Sequence, residues 1–289
     1  MTNEESPART VVSAAWLKSH LSDPDLVIVD ASVTSNPRAE GGISWGSGRP
    51  NFAVNHIAGA VFADLLEDFS DTKSDLHFTR PGSAQFERSA RALGVSNDST
   101  VIVYDAGNST FAARLWWLFR LNGHDDVAIL DGGLRGWVAA GGRTASTTKP
   151  VTPGTFTADP RAHLEITRDE LKRELAANTA SAIISALPAE SAADAAFRAR
   201  PGRIPGTTTV PAVMLTTEEG FLLPRPDLAA AFAGIDLDAS IVTYCGGGIA
   251  ASLDTLALTH LGAREVRLYD GSLNEWARDP DAPLVSTLG

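Results

Sequence analysis

Cysteine is nearly absent from this sequence, which contains a single one, Cys245, in 289 residues. A lone thiol cannot form a disulfide within the chain, and it excludes the cysteine-rich sites that bind structural zinc. The six histidines show no metal-ligand spacing such as His-x-x-x-His, so we expect no metal and no other cofactor. The cytoplasm is the compartment that this cysteine usage predicts.

Positive charge and long apolar runs are also scarce. Lysine and arginine together number 24 against 35 aspartates and glutamates, and the net charge is −11. Such an acidic chain is poorly suited to nucleic acid or to an anionic membrane surface. No apolar run reaches the roughly 18 residues that a membrane span requires, and the acidic start Met1-Thr-Asn-Glu-Glu-Ser-Pro7 is unlike a signal or transit peptide. We therefore expect small-molecule partners, no nucleic acid and no membrane.

The single cysteine lies where a predicted strand gives way to a predicted helix. The β-prone run Ser240-Ile-Val-Thr-Tyr244 precedes it, three glycines from Gly246 to Gly248 follow, and a helical pattern extends over 250–261. Glycines allow successive backbone amides to turn inward, and the helix start adds the positive end of its dipole. Such a nest favours an anion, and a thiolate is one, so the pattern predicts a nucleophilic cysteine. The alternative is a buried cysteine that acts as a small hydrophobic side chain.

Short apolar runs typical of buried parallel strands alternate with helical patterns along the chain, which predicts an α/β fold. A helix is predicted over 11–21 with Ser13 as its N-cap. The Gly-, Ser- and Pro-rich stretch 34–50 is predicted to be a loop, and the Thr-, Pro- and Ala-rich stretch 146–160 a linker. We interpret Trp116 and Trp117 as packing residues in a helix, and we expect His124, after a helix-ending glycine, to be exposed.

The second half repeats the order of elements of the first. Tyr104 and Asp105 return 140 residues later as Tyr244 and Cys245, and Leu130-Asp-Gly-Gly-Leu-Arg-Gly-Trp137 returns after 139 residues as Tyr269-Asp-Gly-Ser-Leu-Asn-Glu-Trp276. The small drift between these offsets indicates insertions in loops. The sequence thus predicts a tandem duplication in which each copy is a parallel sheet flanked by helices. Only the second copy carries a thiol.

These motifs resemble the two-domain rhodaneses, the thiosulfate and 3-mercaptopyruvate sulfurtransferases, over about 11–283. The Leu-Trp-Trp-Leu-Phe-Arg and Leu-Asp-Gly-Gly-Leu segments of the first half and Tyr-Cys-Gly-x-Gly of the second carry the resemblance. It implies a catalytically silent domain over 1–145, a linker over 146–160 and a catalytic domain over 161–289. It further implies that the cysteine takes a sulfane sulfur from thiosulfate or 3-mercaptopyruvate. The resulting persulfide passes that sulfur to a thiol or to cyanide.

The resemblance also suggests substrate-binding residues. The family's six-residue active loop corresponds here to Cys245, Gly246, Gly247, Gly248, Ile249 and Ala250. Loops that prefer thiosulfate usually carry basic residues, whereas loops that prefer mercaptopyruvate are neutral. The loop of this chain is neutral and lacks the two hydroxyls of the second type, so we expect a modest preference for mercaptopyruvate and low rates. Arg198 and Arg200 are candidates to bind the carboxylate of the donor.

Two other functions compete with sulfur transfer. Cys-based phosphatases and arsenate reductases share the fold, but their loop needs Cys-x5-Arg with the arginine clamping phosphoryl oxygens, and that position here is Ala251. The second alternative is a non-catalytic sulfur-carrier or binding module with a degenerate loop. Retention of Cys245 argues against such a module.

Overall fold

The computed structural model describes residues 9–37, 43–179, 182–189 and 200–285. Strands of the first half are β1 (Val11–Val12), β2 (Leu26–Asp30), β3 (Val33–Pro37), β4 (Ile43–Ser47), β5 (His56–Ile57), β6 (Val61–Phe62), β7 (Thr100–Tyr104), β8 (Val127–Leu130) and β9 (Thr144–Ala145). Its helices are α1 (Ala14–His20), α2 (Arg49–Val54), α3 (Ser83–Ala92), α4 (Thr110–Leu121) and α5 (Gly133–Ala139).

Strands of the second half are β10 (Ala182–Ser185), β11 (Thr207–Thr209), β12 (Ser240–Tyr244) and β13 (Glu265–Leu268). Its helices are α6 (Arg168–Ala176), α7 (Arg225–Ala231), α8 (Ile249–Leu261) and α9 (Ser272–Trp276), with short 3₁₀ turns at Ala162–Leu164 and Ala212–Met214.

Each half forms one parallel sheet with helices on both faces, as the sequence predicts. The strand order is β1-β8-β7-β2-β6 in the first sheet and β11-β10-β12-β13 in the second. The central strands β7 and β12 are apolar runs buried on both faces, which is typical of parallel sheets. The fold class is therefore confirmed: α/β, as two parallel sheets in tandem.

One hydrophobic core is built from residues of both halves. Alternate residues of β7 divide between two clusters: Val101 and Val103 enter a core shared by both halves, while Ile102 and Tyr104 enter the outer core of the first half. Helices α4 and α8 pack against each other in the shared core. Trp116 and Trp117 of α4 are each 1% exposed, so their interpretation as packing residues is confirmed.

The stretch 34–50 was predicted to be a loop, and that prediction is wrong. It contains most of an antiparallel hairpin, β3 with β4, in which Val33 pairs with Ser47, and it then starts α2. Trp45 of β4 packs edge-on against Phe78 and Phe111, with ring centroids 5.5 and 5.8 Å apart. Glycine disfavours strands locally, but the partner strand and these aromatic contacts outweigh that preference.

Three further details differ from or refine the predictions. Ser13 is the N-cap of α1 and accepts a hydrogen bond from the Trp16 amide, but Val11 and Val12 before it form an edge strand rather than helix. His124 is buried, not exposed: it packs beside Phe119 and Phe156, and burial lowers its pKa. Within 146–160 the fully buried Phe156 anchors the chain to the first half.

Candidate active site

Cys245 follows the last residue of the central strand β12 and begins the turn into α8. Its side chain is 2% exposed, belongs to the shared core and is a free thiol. Ile249 and Ala250 are the first two residues of α8, so the six predicted loop residues form one continuous strand-to-helix connection. The thiol therefore lies at the carboxyl end of a central parallel strand. Ligands of open α/β sheets bind at this end of the strands.

The backbone amides of this connection fall into two groups. The hydroxyl of Ser272 accepts hydrogen bonds from the amides of Cys245 (3.0 Å) and Gly248 (3.2 Å), and it donates to the Tyr269 carbonyl at 2.8 Å. It thereby ties the two ends of the loop together. Within the described part of the chain, no acceptor is found for the amides of four other predicted residues, which are Gly246, Gly247, Ile249 and Ala250.

Helix α9 holds the carbonyl side of the same loop. The Leu273 amide donates to the Cys245 carbonyl at 3.1 Å, and the Asn274 amide donates to the Gly246 carbonyl at 2.9 Å. With the carbonyls of Cys245 and Gly246 engaged by α9, the loop presents amides beside the thiol that have no acceptor among the described residues. Unpaired amides at a helix start favour an anionic group.

Gly248 occupies a position that other residues do not fit. Its φ of 79° lies in the left-handed region, and it is the N-cap of α8. A Cβ at this position would lie 2.9 Å from the Asp270 carbonyl oxygen and 3.1 Å from Nη1 of Arg114. The predicted role of glycine in this loop thus has two causes, backbone conformation and close approach.

Arg114 reaches this loop from α4 of the first half, and the sequence analysis did not identify it. It is 1% exposed, its Nη2 forms an ion pair with Asp270 Oδ1 at 2.5 Å, and the same nitrogen donates to the Phe78 carbonyl at 2.6 Å. The guanidinium also lies over the Trp117 ring, with its carbon 4.7 Å from the centroid. A charged residue inside an otherwise apolar helical run is the signal in the sequence that could have indicated it.

The equivalent loop of the first half shows what this backbone arrangement binds. Asp105 follows β7 as Cys245 follows β12, and its side chain is 1% exposed. Its carboxylate accepts four hydrogen bonds from backbone amides, at 2.8 to 3.1 Å, from Gly107, Ser109, Phe111 and Ala112. Burial raises the pKa of Asp105, and these four amides, which favour the carboxylate, oppose that rise. In the first half, the backbone amides of the strand-to-helix loop are therefore occupied by the carboxyl group of the loop's own side chain.

The two predicted arginines have different outcomes. Arg198 lies outside the described residues. Arg200 donates to backbone carbonyls after α9, from Nη2 to Asp279 at 2.5 Å and to Ala282 at 2.7 Å. These bonds fasten the chain that follows α9. Contact with the carboxylate of a sulfur donor stays a prediction for both arginines.

The described residues contain no group of three or more His, Cys, Asp or Glu side chains arranged to hold a metal ion. Among their helices, none is both long enough and apolar enough to cross a membrane.

Comparison with known proteins identifies the family to which this fold belongs. The rhodanese-like domain family matches the chain twice, over residues 13–140 and 167–279. The crystal structure of a 3-mercaptopyruvate sulfotransferase from Escherichia coli superimposes with a TM-score of 0.81 at 33% identity, covering 91% of this chain and 98% of that one. The chain therefore belongs to the rhodanese family and consists of two rhodanese domains, called the first and second domain below.

Two relatives that match over most of their length indicate the kind of rhodanese protein that this chain resembles. The 3-mercaptopyruvate sulfurtransferase of Escherichia coli is 36% identical over 94% of this chain and 96% of its own length. Thiosulfate/3-mercaptopyruvate sulfurtransferase 2 of Arabidopsis thaliana is 33% identical over 96% of this chain and 86% of its own length. By these similarities the chain is a member of the sulfurtransferase family, and the predicted resemblance is confirmed.

Proposed function

We propose that this protein transfers a sulfane sulfur from 3-mercaptopyruvate or thiosulfate to a thiol or to cyanide through a persulfide on Cys245. The observation that carries the proposal is the loop itself. A thiol in the second domain occupies the position at which the first domain holds a carboxylate with four amides. The loop beside that thiol has amides for which the described residues supply no acceptor, and such amides suit the negative charge of a thiolate and then of a persulfide.

The chemistry consists of two displacements at sulfur. The Cys245 thiolate attacks the sulfane sulfur of the donor, and the bond between that sulfur and the rest of the donor breaks. The bonding electron pair leaves with sulfite when the donor is thiosulfate. It leaves with the enolate of pyruvate, which then takes up a proton, when the donor is 3-mercaptopyruvate. The acceptor removes the outer sulfur of the persulfide and regenerates the thiolate, so the kinetics are ping-pong.

The side chains around the loop favour 3-mercaptopyruvate as the better donor. The residues from Gly246 to Ala250 carry no charge, and the nearby cation, Arg114, is already paired with Asp270. A dianion such as thiosulfate that loses water without gaining a basic partner keeps an appreciable desolvation penalty. The single carboxylate of 3-mercaptopyruvate is matched by Arg198 or Arg200 in this proposal.

The division of labour between domains is part of the same proposal. Residues 1–145, whose loop is filled by Asp105, form a domain that transfers no sulfur, and 146–160 link it to the catalytic domain over 161–289. Arg114 makes the first domain a structural support of the catalytic loop.

The test is to incubate the protein with each donor, without acceptor, and to measure its intact mass. The expected result is the addition of one sulfur atom, located by peptide mapping on Cys245 and removed by cyanide as thiocyanate. Cys245→Ser, a nearly isosteric change, should abolish both the mass increase and thiocyanate production while the protein stays folded. Wild-type protein that remains unmodified by both donors would refute the proposal.

A further inference from the structure

The side-chain amide of Asn274 lies against the catalytic loop and has no hydrogen-bond partner among the described residues. Asn274 is the third residue of α9, and its backbone amide fixes it to the Gly246 carbonyl at 2.9 Å. A Cβ built on Gly247 would lie 3.2 Å from Nδ2 of Asn274. Within the described part of the chain this side chain makes no hydrogen bond, and it is half-buried. In the described part of the chain, a side-chain donor without a partner thus lies beside Gly247, which is two residues after Cys245.

This amide occupies the space that a side chain at position 247 would need. The loop from Gly246 to Ala250 has no side-chain hydrogen-bond donor of its own. A separation of 3.2 Å from a Cβ is tighter than ordinary contact, so position 247 and Asn274 compete for one volume. Because this amide is a donor that has no acceptor among the described residues, the arrangement suits a ligand oxygen that arrives beside Gly247.

We infer that Asn274 is a specificity-determining residue that donates a hydrogen bond from Nδ2 to the keto oxygen of the sulfur donor. This inference rests on the proposed function. When the Cys245 thiolate takes the sulfur of 3-mercaptopyruvate, the carbon–sulfur bond breaks and its electron pair passes into the enolate, so charge develops on that oxygen before the enolate takes up a proton. A hydrogen bond that strengthens as charge develops lowers the barrier more than it tightens binding.

The first test removes the hydrogen-bond donor, the side-chain amide of Asn274. Asn274→Ala keeps the backbone contact with Gly246 and should lower kcat for 3-mercaptopyruvate about tenfold, which corresponds to about 1.4 kcal/mol, with KM little changed. Asn274→Asp, of the same shape but with an acceptor in place of the donor, should lower kcat further. Asn51→Ala, which removes an exposed asparagine from α2 of the first domain, is the matched control and should behave as wild type.

The second test exploits the competition for space. Gly247→Ser alone should give no gain in kcat, because the hydroxyl meets the Asn274 amide. Gly247→Ser combined with Asn274→Ala should recover much of the rate lost by Asn274→Ala, because the hydroxyl then has room to donate. A purely structural role of Asn274 predicts no such reciprocal rescue.

Two outcomes would overturn the inference: Asn274→Ala within twofold of wild type in kcat, or a rate increase from Gly247→Ser while Asn274 is present. Either result leaves the proposed function intact as long as the wild-type protein still gains a sulfur atom on Cys245. Absence of that sulfur atom would instead refute the proposed function.

Discussion

The guanidinium of Arg114 in the first domain and the carboxylate of Asp270 in the second form an ion pair at 2.5 Å beside Gly248. Oδ2 of the same carboxylate accepts from the Arg80 amide at 2.9 Å, so two segments of the first domain converge on Asp270. In a second contact between the domains, Asp131 of the first domain accepts a hydrogen bond from the Leu222 amide of the second at 2.8 Å. Each domain thus contacts a turn of the other domain: Asp270 lies in the turn after β13, and Asp131 lies in the turn after β8. Only the second domain carries a thiol in its loop.

Loss of Arg114 should destabilise the protein strongly. Arg114→Met would leave Asp270 largely buried without its counter-charge, and breaking a buried pair in this way typically costs about 3–5 kcal/mol. The expected result is a lower midpoint in urea unfolding together with reduced sulfur transfer. Arg114→Met combined with Asp270→Leu should cost less than the sum of the single changes, because no unpaired charge remains. Additive costs would show that the two groups do not act as a pair.

Gly248→Ala should weaken both the fold and the catalysis. The left-handed backbone alone costs about 1–2 kcal/mol for a residue with a Cβ, and the contacts with Asp270 and Arg114 add to that cost. Gly234→Ala is a matched control, since its φ is 85° and its Cβ would meet nothing within 4 Å. The difference between the two variants in free energy of unfolding, measured in urea, gives the cost of the contacts with Asp270 and Arg114. Equal losses would mean that the loop accommodates the methyl group.

Asp105→Ala should lower the stability of the protein but leave its turnover nearly unchanged. Four backbone amides lose their acceptor, and each buried donor without a partner costs about 1–3 kcal/mol unless water replaces it, so the free energy of unfolding should fall clearly. The rate of sulfur transfer by the folded protein should stay within a few-fold of wild type, because Asp105 lies in the loop without a thiol. A hundredfold loss in kcat, about 2.7 kcal/mol in the barrier, would show that the first domain contributes to the chemistry.

Features that depend on one segment of sequence were predictable, and features that depend on packing between segments were not. The strand, the glycines and the helix start around Cys245 are adjacent in the chain, so local pattern suffices to place them. The supports of that loop come from distant segments: Arg114 lies 131 positions before Cys245, and Ser272 and Asn274 follow a different strand. The hairpin β3–β4 escaped prediction for the same reason, since its Gly- and Ser-rich sequence is stabilised by contacts of Trp45 with residues far along the chain.

Asp254 should make stability depend on pH. It lies in α8, it is fully buried, neither oxygen has a hydrogen-bond partner in the described part of the chain, and burial raises its pKa well above the usual range. The folded protein therefore holds a proton that the unfolded chain releases above the ordinary pKa of aspartate. Stability is fully present below that pKa and is lost as the pH rises through the raised value.

The measurement compares free energies of unfolding at pH 5 and pH 8. The decline between them should be smaller in Asp254→Asn than in wild type, because the amide does not titrate. Asp98→Asn, a change at an exposed aspartate, should leave the decline as it is. Asp254→Leu should stabilise the protein by about 1–3 kcal/mol, the cost of an unpaired buried polar group. Equal pH dependence in wild type and Asp254→Asn would contradict the argument.

The choice of sulfur donor should follow the charge of the loop. Wild-type protein should show a modest preference for 3-mercaptopyruvate over thiosulfate in kcat/KM, because the loop offers thiosulfate only backbone amides and Arg114 is already neutralised by Asp270. Gly246→Arg places a cation next to the thiol and should shift the ratio towards thiosulfate, whereas Gly246→Gln, of similar length without charge, should not. Increasing ionic strength should weaken the effect of Gly246→Arg, since exposed charges are screened. If wild type already uses thiosulfate more than tenfold better, a difference of about 1.4 kcal/mol, the charge of the loop does not decide the donor. A cation outside the loop would then have to pair with thiosulfate.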